Sequence, residues 1–384
     1  MSIQLNFILL VAVCWATFFA VPRALRPHAL SLWGAVFYAL FAPSAGGLVA
    51  GLVLVTYFLE GPRAKWVVIS LVVGLLAYFK GVGAWVTAAG PGGVTRLDGA
   101  TLVPLGLSFL SLELIHYTIE RSRGRIRNTS LVDLAAFVLF FPCRIAGPIK
   151  RYPDFTAAVA RAELSPENVY HGCLRILAGL LKKVAADLLG RTAGGVGFPV
   201  TRLQGWESML AYSLQIFLDF SAYSDIAIGI SRLMGISVPE NFRSPYLSSN
   251  IQEFWTRWHM SLSSWVREYV FLSLGRALFK TRLKRRPGII AAASYVATFL
   301  VVGAWHGLTP NFLVWGAYHG ILLATFHLYK TSIPVSLATN PLYQSRPVAW
   351  AGSGMTFLLV TVGWVFFRMD LPTGVRLLRL LFNL

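Results

Sequence analysis

The chain has 384 residues, of which 56% are of the hydrophobic types and only 13% are charged, with 34 Lys and Arg against 16 Asp and Glu for a formal charge of +18. A soluble globular chain carries about 25% charged residues, and the mean hydropathy of +0.62 points the same way, so composition favours a polytopic all-α membrane bundle over a soluble protein with a large core. The basic excess falls in short runs between apolar segments, RSRGRIR (Arg121 to Arg127) and RALFKTRLKRR (Arg276 to Arg286); this is the pattern of cytoplasmic loops facing anionic headgroups, and it argues for membrane lipids and against nucleic acid as the partner.

In chain order, the apolar stretches are Ile3–Val21, Leu30–Phe41, Gly47–Leu59, Trp66–Phe79, Leu102–Ile119, Leu131–Ile145, Leu174–Leu189, Met209–Met234, Ile289–Trp305, Phe312–Tyr329 and Met355–Phe367. The first lacks a basic n-region and reads as a retained span, not a cleaved signal. A full crossing needs about 20 residues. Several stretches are shorter, so the expectation is about 9 to 11 crossings with tilted, re-entrant or interfacial pieces. With no internal repeat and no low-complexity linker, residues 1–384 read as one integral membrane domain. Prolines and glycines at Pro104, Gly106, Pro142, Gly147 and Pro148 interrupt the apolar runs. Irregular backbone at membrane depth is tolerated where protein buries it or a cavity solvates it, so these breaks mark either an internal cavity or ordinary kinks.

Along the same path come the ionisable residues. FFPCRIAGPIKRYPDF (Phe140 to Phe155) sets Arg144, Lys150 and Arg151 in a proline-broken basic loop. Such a loop suits the phosphate of an acyl donor, or lipid headgroups. In LQIFLDFSAYSDIAIG, Asp219 and Asp225 lie within an apolar helix, and Gln215, Asp219 and Tyr223 share a face at i, i+4, i+8. The group forms either a polar spine along a substrate tunnel or a structural hydrogen-bond network between helices. Asn250 to Gly275 has apolar residues at helical spacing and charge opposite, an amphipathic helix with His259 at the edge of its apolar face. VVGAWHGLTPNFLVWGAYHG (Val301 to Gly320) holds His306 between glycines Gly303 and Gly307, and a second histidine, His319. A neutral imidazole at His306 or His259 suits general-base work near neutral pH. Cys14, Cys143 and Cys173 show no metal-ligand spacing and read as small apolar packing residues, so no metal is expected. No P-loop, GxSxG elbow or HExxH motif is present.

The blocks FFPCRIAGPIKRYPDF, YSLQIFLDFSAYSDIAIGISRLMG, PENFRSPYLSSNIQEFWTRWHMSLSSWVREYVFLSLG and GAWHGLTPNFLVWGAYHG occur in this order between residues 140 and 320. Together they resemble the membrane-bound O-acyltransferase family, in its bacterial branch of alginate O-acetyltransferase and teichoic-acid D-alanyl transferase. The resemblance implies a helical bundle around a central tunnel, in the bacterial cytoplasmic (inner) membrane. The implied reaction passes an acyl group from a thioester to a hydroxyl, with His306 in the place of the family's invariant histidine and His259 in that of the second. It implies no tightly bound cofactor. The donor would be acetyl-CoA, or else an acyl-phosphopantetheine carrier protein in the cytoplasm. The acceptor would be an envelope or exported polysaccharide, reached directly or through an extracytoplasmic acyltransferase partner. After REYVFLSLG the chain departs from the glycine-rich continuation of that branch. D-alanyl transfer from a carrier protein is the alternative within the family. A membrane transporter or flippase would share the broken helices and the intramembrane carboxylates, but leaves the histidine blocks unexplained, and a scaffold for polymer synthesis should tolerate loss of His306.

Overall fold

The structure, a computed structural model, describes residues 2–61, 63–88, 103–127, 129–194, 198–334, 336 and 339–383. Leu102, the expected start of one span, lies outside the described residues. Most of those described are helical, with no strand among them. In chain order the helices are α1 Ser2–Ala20, α2 Arg26–Phe41, α3 Pro43–Phe58, α4 Ala64–Ala88, α5 Leu107–Ser122, α6 Leu131–Leu139, α7 Tyr152–Arg161, α8 Pro166–Gly194 and α9 Arg202–Leu233. There follow α10 Ile251–Arg257, α11 Met260–Val266, α12 Leu272–Phe279, α13 Pro287–His306, α14 Pro310–Ser332, α15 Arg346–Arg368 and α16 Leu371–Phe382. This is the all-α membrane bundle expected from composition.

Four of the described helical stretches are long and apolar enough to cross a membrane: Ala64–Gly81, Pro287–His306, Pro310–Ser332 and Arg346–Arg368. The other apolar stretches are shorter, as Leu5–Ala20 and Pro43–Phe58 are, or carry charge, as α8 and α9 do. The count of about 9 to 11 crossings therefore includes segments that do not meet the length and hydropathy of a full span by themselves. Many prolines that interrupt the sequence are helix starts. Proline occupies the first turn of α2, α3, α7, α13, α14, α15 and α16, where its fixed φ is already helical and its missing N–H costs no bond. The helices α7 and α16 were not anticipated; both are short and strongly amphipathic, and a search for apolar runs passes over them.

Within the span read above as one domain, packing resolves two compact units: Met1–Leu181 with Ala222–Pro239, and Lys182–Ser221 with Glu240–Leu384. In the first, α2 and α6 touch backbone to backbone. A Cβ on Gly34 would lie 2.3 Å from the Leu139 carbonyl oxygen. The expected span Leu131–Ile145 stops at Leu139, and the chain turns through Phe141–Cys143. There Gly106, at φ +75°, admits Arg144: any Cβ at that position would fall 2.5 Å from the Arg144 Cδ. Cys14 and Cys143 are buried as expected, but Cys173 is exposed on α8.

In the second unit, α13 and α14 form a close antiparallel hairpin. Gly303, Gly316 and Gly320 let the two backbones meet; a Cβ on Gly316 would sit 2.3 Å from the Phe299 carbonyl oxygen. Small residues at such crossings are how helices gain van der Waals contact where lipid supplies no hydrophobic drive. The expected amphipathic helix over Asn250 to Gly275 is present in three pieces. Its apolar stripe is buried as expected at Ile251, Phe254, Trp255, Trp258, Leu262 and Trp265. The helix breaks at Trp258 and His259, and Arg267–Phe271 forms a wide π turn.

Candidate functional site

His259 stands at the break. Its backbone is left-handed, φ 43° and ψ 53°, a conformation that bulky residues rarely adopt and that persists only where surroundings impose it. The surroundings are the loop before α10. Met260 N donates to the Asn241 carbonyl at 2.9 Å, and Arg243 N donates to the Arg257 carbonyl at 3.0 Å, so the two chain segments brace each other. The Asn241 side chain continues the brace. Its Oδ1 lies 3.2 Å from His259 Nδ1 and accepts from Ser261 Oγ at 2.6 Å. Asn241 and His259 are both buried. The edge of the imidazole meets the Phe220 ring at 4.7 Å. Burial lowers the pKa of His259 to about 3, because desolvation penalises the charged ring; the imidazole is neutral at physiological pH. From the edge of the apolar stripe, His259 points into the protein.

His306 ends α13 and is half-buried. Gly307 continues in extended backbone, and a Cβ there would lie 2.4 Å from the Phe312 ring. The imidazole lies among the rings of Trp315 at 5.3 Å, Phe367 at 4.9 Å and Phe312 at 6.1 Å. Asn311 Nδ2 donates to the Phe366 carbonyl at 3.1 Å and ties this wall together. An aromatic series joins the two histidine regions: Trp315 packs on Trp364 (6.3 Å), and Trp364 on Trp258 (4.9 Å), the residue before His259. His319 is of another kind. It is fully buried, packed against Trp255 and Trp315, and a Cβ on Gly363 would come within 2.5 Å of its Nε2. We assign it to packing.

The four residues read as one polar group do not form one. Asp219 is exposed and pairs with Lys183 at 2.8 Å, within a cluster that includes Asp187. Asp225 is buried and pairs with Arg175 at 2.7 Å. Tyr223 is half-buried and lies against the backbone of Ile145 and Ala146. Gln215 lies against Gly190, where a Cβ would be 2.7 Å from its Nε2. The helical spacing is present, but each residue has different neighbours, and the pairing of exposed Asp219 with Lys183 links α9 to α8. Ion pairs exposed to water contribute about 1 kcal/mol or less, and Lys183 keeps a second partner in Asp187 when Asp219 is neutralised. Asp219→Asn is therefore expected to leave thermal unfolding in detergent nearly unchanged, and Asp225→Asn to lower it further. An equal or larger loss in Asp219→Asn would contradict this placement.

The basic loop is also divided. Arg144 and Lys150 are buried and share one carboxylate, that of Glu113 on α5: Arg144 Nη2 bonds Glu113 Oε2 at 2.7 Å, and Lys150 Nζ bonds Oε1 at 2.5 Å. Phe137, Phe140 and Phe155 surround the Lys150 ammonium at 5.1 to 5.6 Å. Arg151 remains half-exposed, with Nη1 3.4 Å from His116 Nδ1, and His116 Nε2 accepts from Tyr152 N at 2.9 Å. Sequence reasoning passed over Glu113, Asn241 and Ser261. Glu113 carries the same signal that drew attention to Asp219, a carboxylate in an apolar helix. Asn241 had only a polar position between Pro239 and Pro245.

A model of the membrane-bound O-acyltransferase family matches residues 199–362, which contain both histidines and Asn241. The chain is 36% identical over 371 residues to a probable alginate O-acetylase AlgI of Pseudomonas putida, covering 87% of this chain and 70% of that one. It is 30% identical over 391 residues to a peptidoglycan O-acetyltransferase of Helicobacter pylori, covering 89% and 71%. It is 33% identical over 234 residues to a teichoic acid D-alanyltransferase of Bacillus subtilis, covering 59% of each. The chain thus belongs to the membrane-bound O-acyltransferase family, and is an integral membrane O-acyltransferase.

Proposed function

We propose that this protein transfers an acetyl group from a cytoplasmic thioester to a hydroxyl of an envelope or exported polysaccharide, with His306 as general base. The observation that carries this is the similarity, along 87% of the chain, to a probable alginate O-acetylase; the likeness to a peptidoglycan O-acetyltransferase supports the same acyl group. In the reaction, the acceptor oxygen attacks the thioester carbonyl while His306 takes the hydroxyl proton. The tetrahedral intermediate then collapses, the C–S bond breaks, and the proton passes to the departing thiolate, giving ester and free thiol. The end of α13, where backbone carbonyls point outward, suits a ring that becomes cationic midway. The neutral, held His259 supports a role in orienting His306 or the acyl carbonyl.

The donor we assign is acetyl-CoA, with an acyl-phosphopantetheine carrier protein as the alternative, which the likeness to a D-alanyltransferase favours. Arg151 is the basic residue of its loop that we assign to a donor phosphate, since Arg144 and Lys150 are committed to Glu113. We place the protein in the bacterial cytoplasmic membrane, working with an extracytoplasmic acyltransferase partner. Inverted membrane vesicles from producing cells, given radiolabelled acetyl-CoA, are expected to accumulate base-releasable label on polysaccharide. Labelling only from a charged carrier protein would replace the donor assignment.

A further inference from the structure

Three features meet at Asn241. Its side chain is fully buried, its Oδ1 faces His259 Nδ1 at 3.2 Å, and the histidine it faces is held in left-handed backbone. The orientation of the carboxamide follows from its other neighbours. Ser261 N, which can only donate, points at the same Oδ1 at 3.4 Å, and Ser261 Oγ is 2.6 Å away. The oxygen, not the NH2 group, therefore faces the imidazole. A neutral imidazole that faces an acceptor with Nδ1 carries its proton there.

We propose that Asn241 is a positioning residue for acyl transfer: its Oδ1 fixes His259 as the Nδ1–H tautomer, so that Nε2 is the nitrogen offered to the reacting groups. The inference rests on the reading that His259 belongs to the reactive pair. Several details fit. The backbone bond from Met260 N to the Asn241 carbonyl sets the main chain, and the side chain sets the ring, so a single residue determines both. An amide in this place holds the tautomer without adding charge, which keeps the ring neutral in a buried setting. Of the charged groups on the neighbouring segments, Asp219 is paired with Lys183 and Arg257 with Glu253, and Glu240 and Arg243 are exposed.

The test combines a spectroscopic and a kinetic reading on the full chain in membranes. Nitrogen-15 NMR of histidine-labelled protein, with His259→Ala used to assign the resonance, reports the tautomer directly. The wild type is expected to show Nδ1–H at His259. Asn241→Leu, which has the same branched side-chain skeleton, is expected to lose that preference and to lower turnover of radiolabelled acetyl-CoA by about 10²-fold at saturating donor. Asn241→Asp keeps the acceptor. It is expected to restore the tautomer and much of the turnover, and to move the acidic limb of the pH–rate profile upward, because a carboxylate favours the imidazolium. A merely structural Asn241 would leave that limb where it was. If Asn241→Leu does not fold, the Asp variant alone decides between the two. An Nε2–H wild type, or an unshifted limb in Asn241→Asp alongside an impaired His259→Ala, overturns the role of Asn241. Full activity in His259→Ala overturns the underlying reading of the histidine pair.

Discussion

Glu113→Gln is expected to destabilise the protein by about 3 to 5 kcal/mol. One buried carboxylate compensates two buried cations, Arg144 and Lys150, and the three side chains are at most 3% exposed. Neutralising Glu113 leaves both cations uncompensated where water cannot reach them. The converse substitution should be mild. Lys150→Met removes one positive charge, leaves a balanced Arg144–Glu113 pair, and fills the aromatic surround with an apolar chain of similar length. Replacement of a buried ion by a well-packed hydrophobe is often neutral or stabilising. Thermal unfolding in detergent measures both. The pair of variants also separates two roles for the basic loop. If Lys150 contacts a donor phosphate, Lys150→Met keeps its stability and loses donor affinity; if its role is structural, as the burial indicates, donor affinity is unchanged. Comparable destabilisation in both variants would contradict the shared-carboxylate account.

His306→Gln is expected to lower turnover by about 10² to 10⁴ while costing about 1 kcal/mol of stability. The ring is half-buried at a helix end, so its removal leaves no large sealed cavity, and the α13–α14 hairpin is held by its glycine contacts. Glutamine retains a hydrogen-bonding group of similar reach but does not accept a proton, so the effect should fall on the step in which the acceptor loses its proton and not on donor affinity. His319→Gln, by contrast, perturbs a fully enclosed packing position and should act on stability first.

What the sequence made legible follows from where its signals are local. Helical spacing identified the stripe from Ile251 to Val270, buried at most of its positions, and Gly303, one of the glycines flanking His306, makes a close approach to Phe312. The break at His259 was not legible. Its cause is Asn241, whose main chain and side chain displace the regular helical bonds from a distance in sequence. Long-range partners likewise decided the polar residues. The i, i+4, i+8 spacing placed Gln215, Asp219 and Tyr223 on one face, but one helix face can meet several neighbours along its length. Lys183 pairs with Asp219, and Tyr223 lies against the loop at Ile145. Glu113 was legible by the rule applied to the other intramembrane carboxylates; the identity of its two partners, both in a proline-broken loop, was not.

The central claim is that His306 takes the proton in acyl transfer. Its most direct test is single-turnover acetyl transfer in inverted vesicles containing wild type, His306→Ala or His306→Gln, with radiolabelled acetyl-CoA at saturation and donor binding measured in parallel. The account predicts that both variants insert, fold and bind donor as the wild type does, and that both transfer label at least about 10²-fold more slowly. Transfer near the wild-type rate in either variant, or loss of donor binding with turnover at saturation preserved, would contradict it.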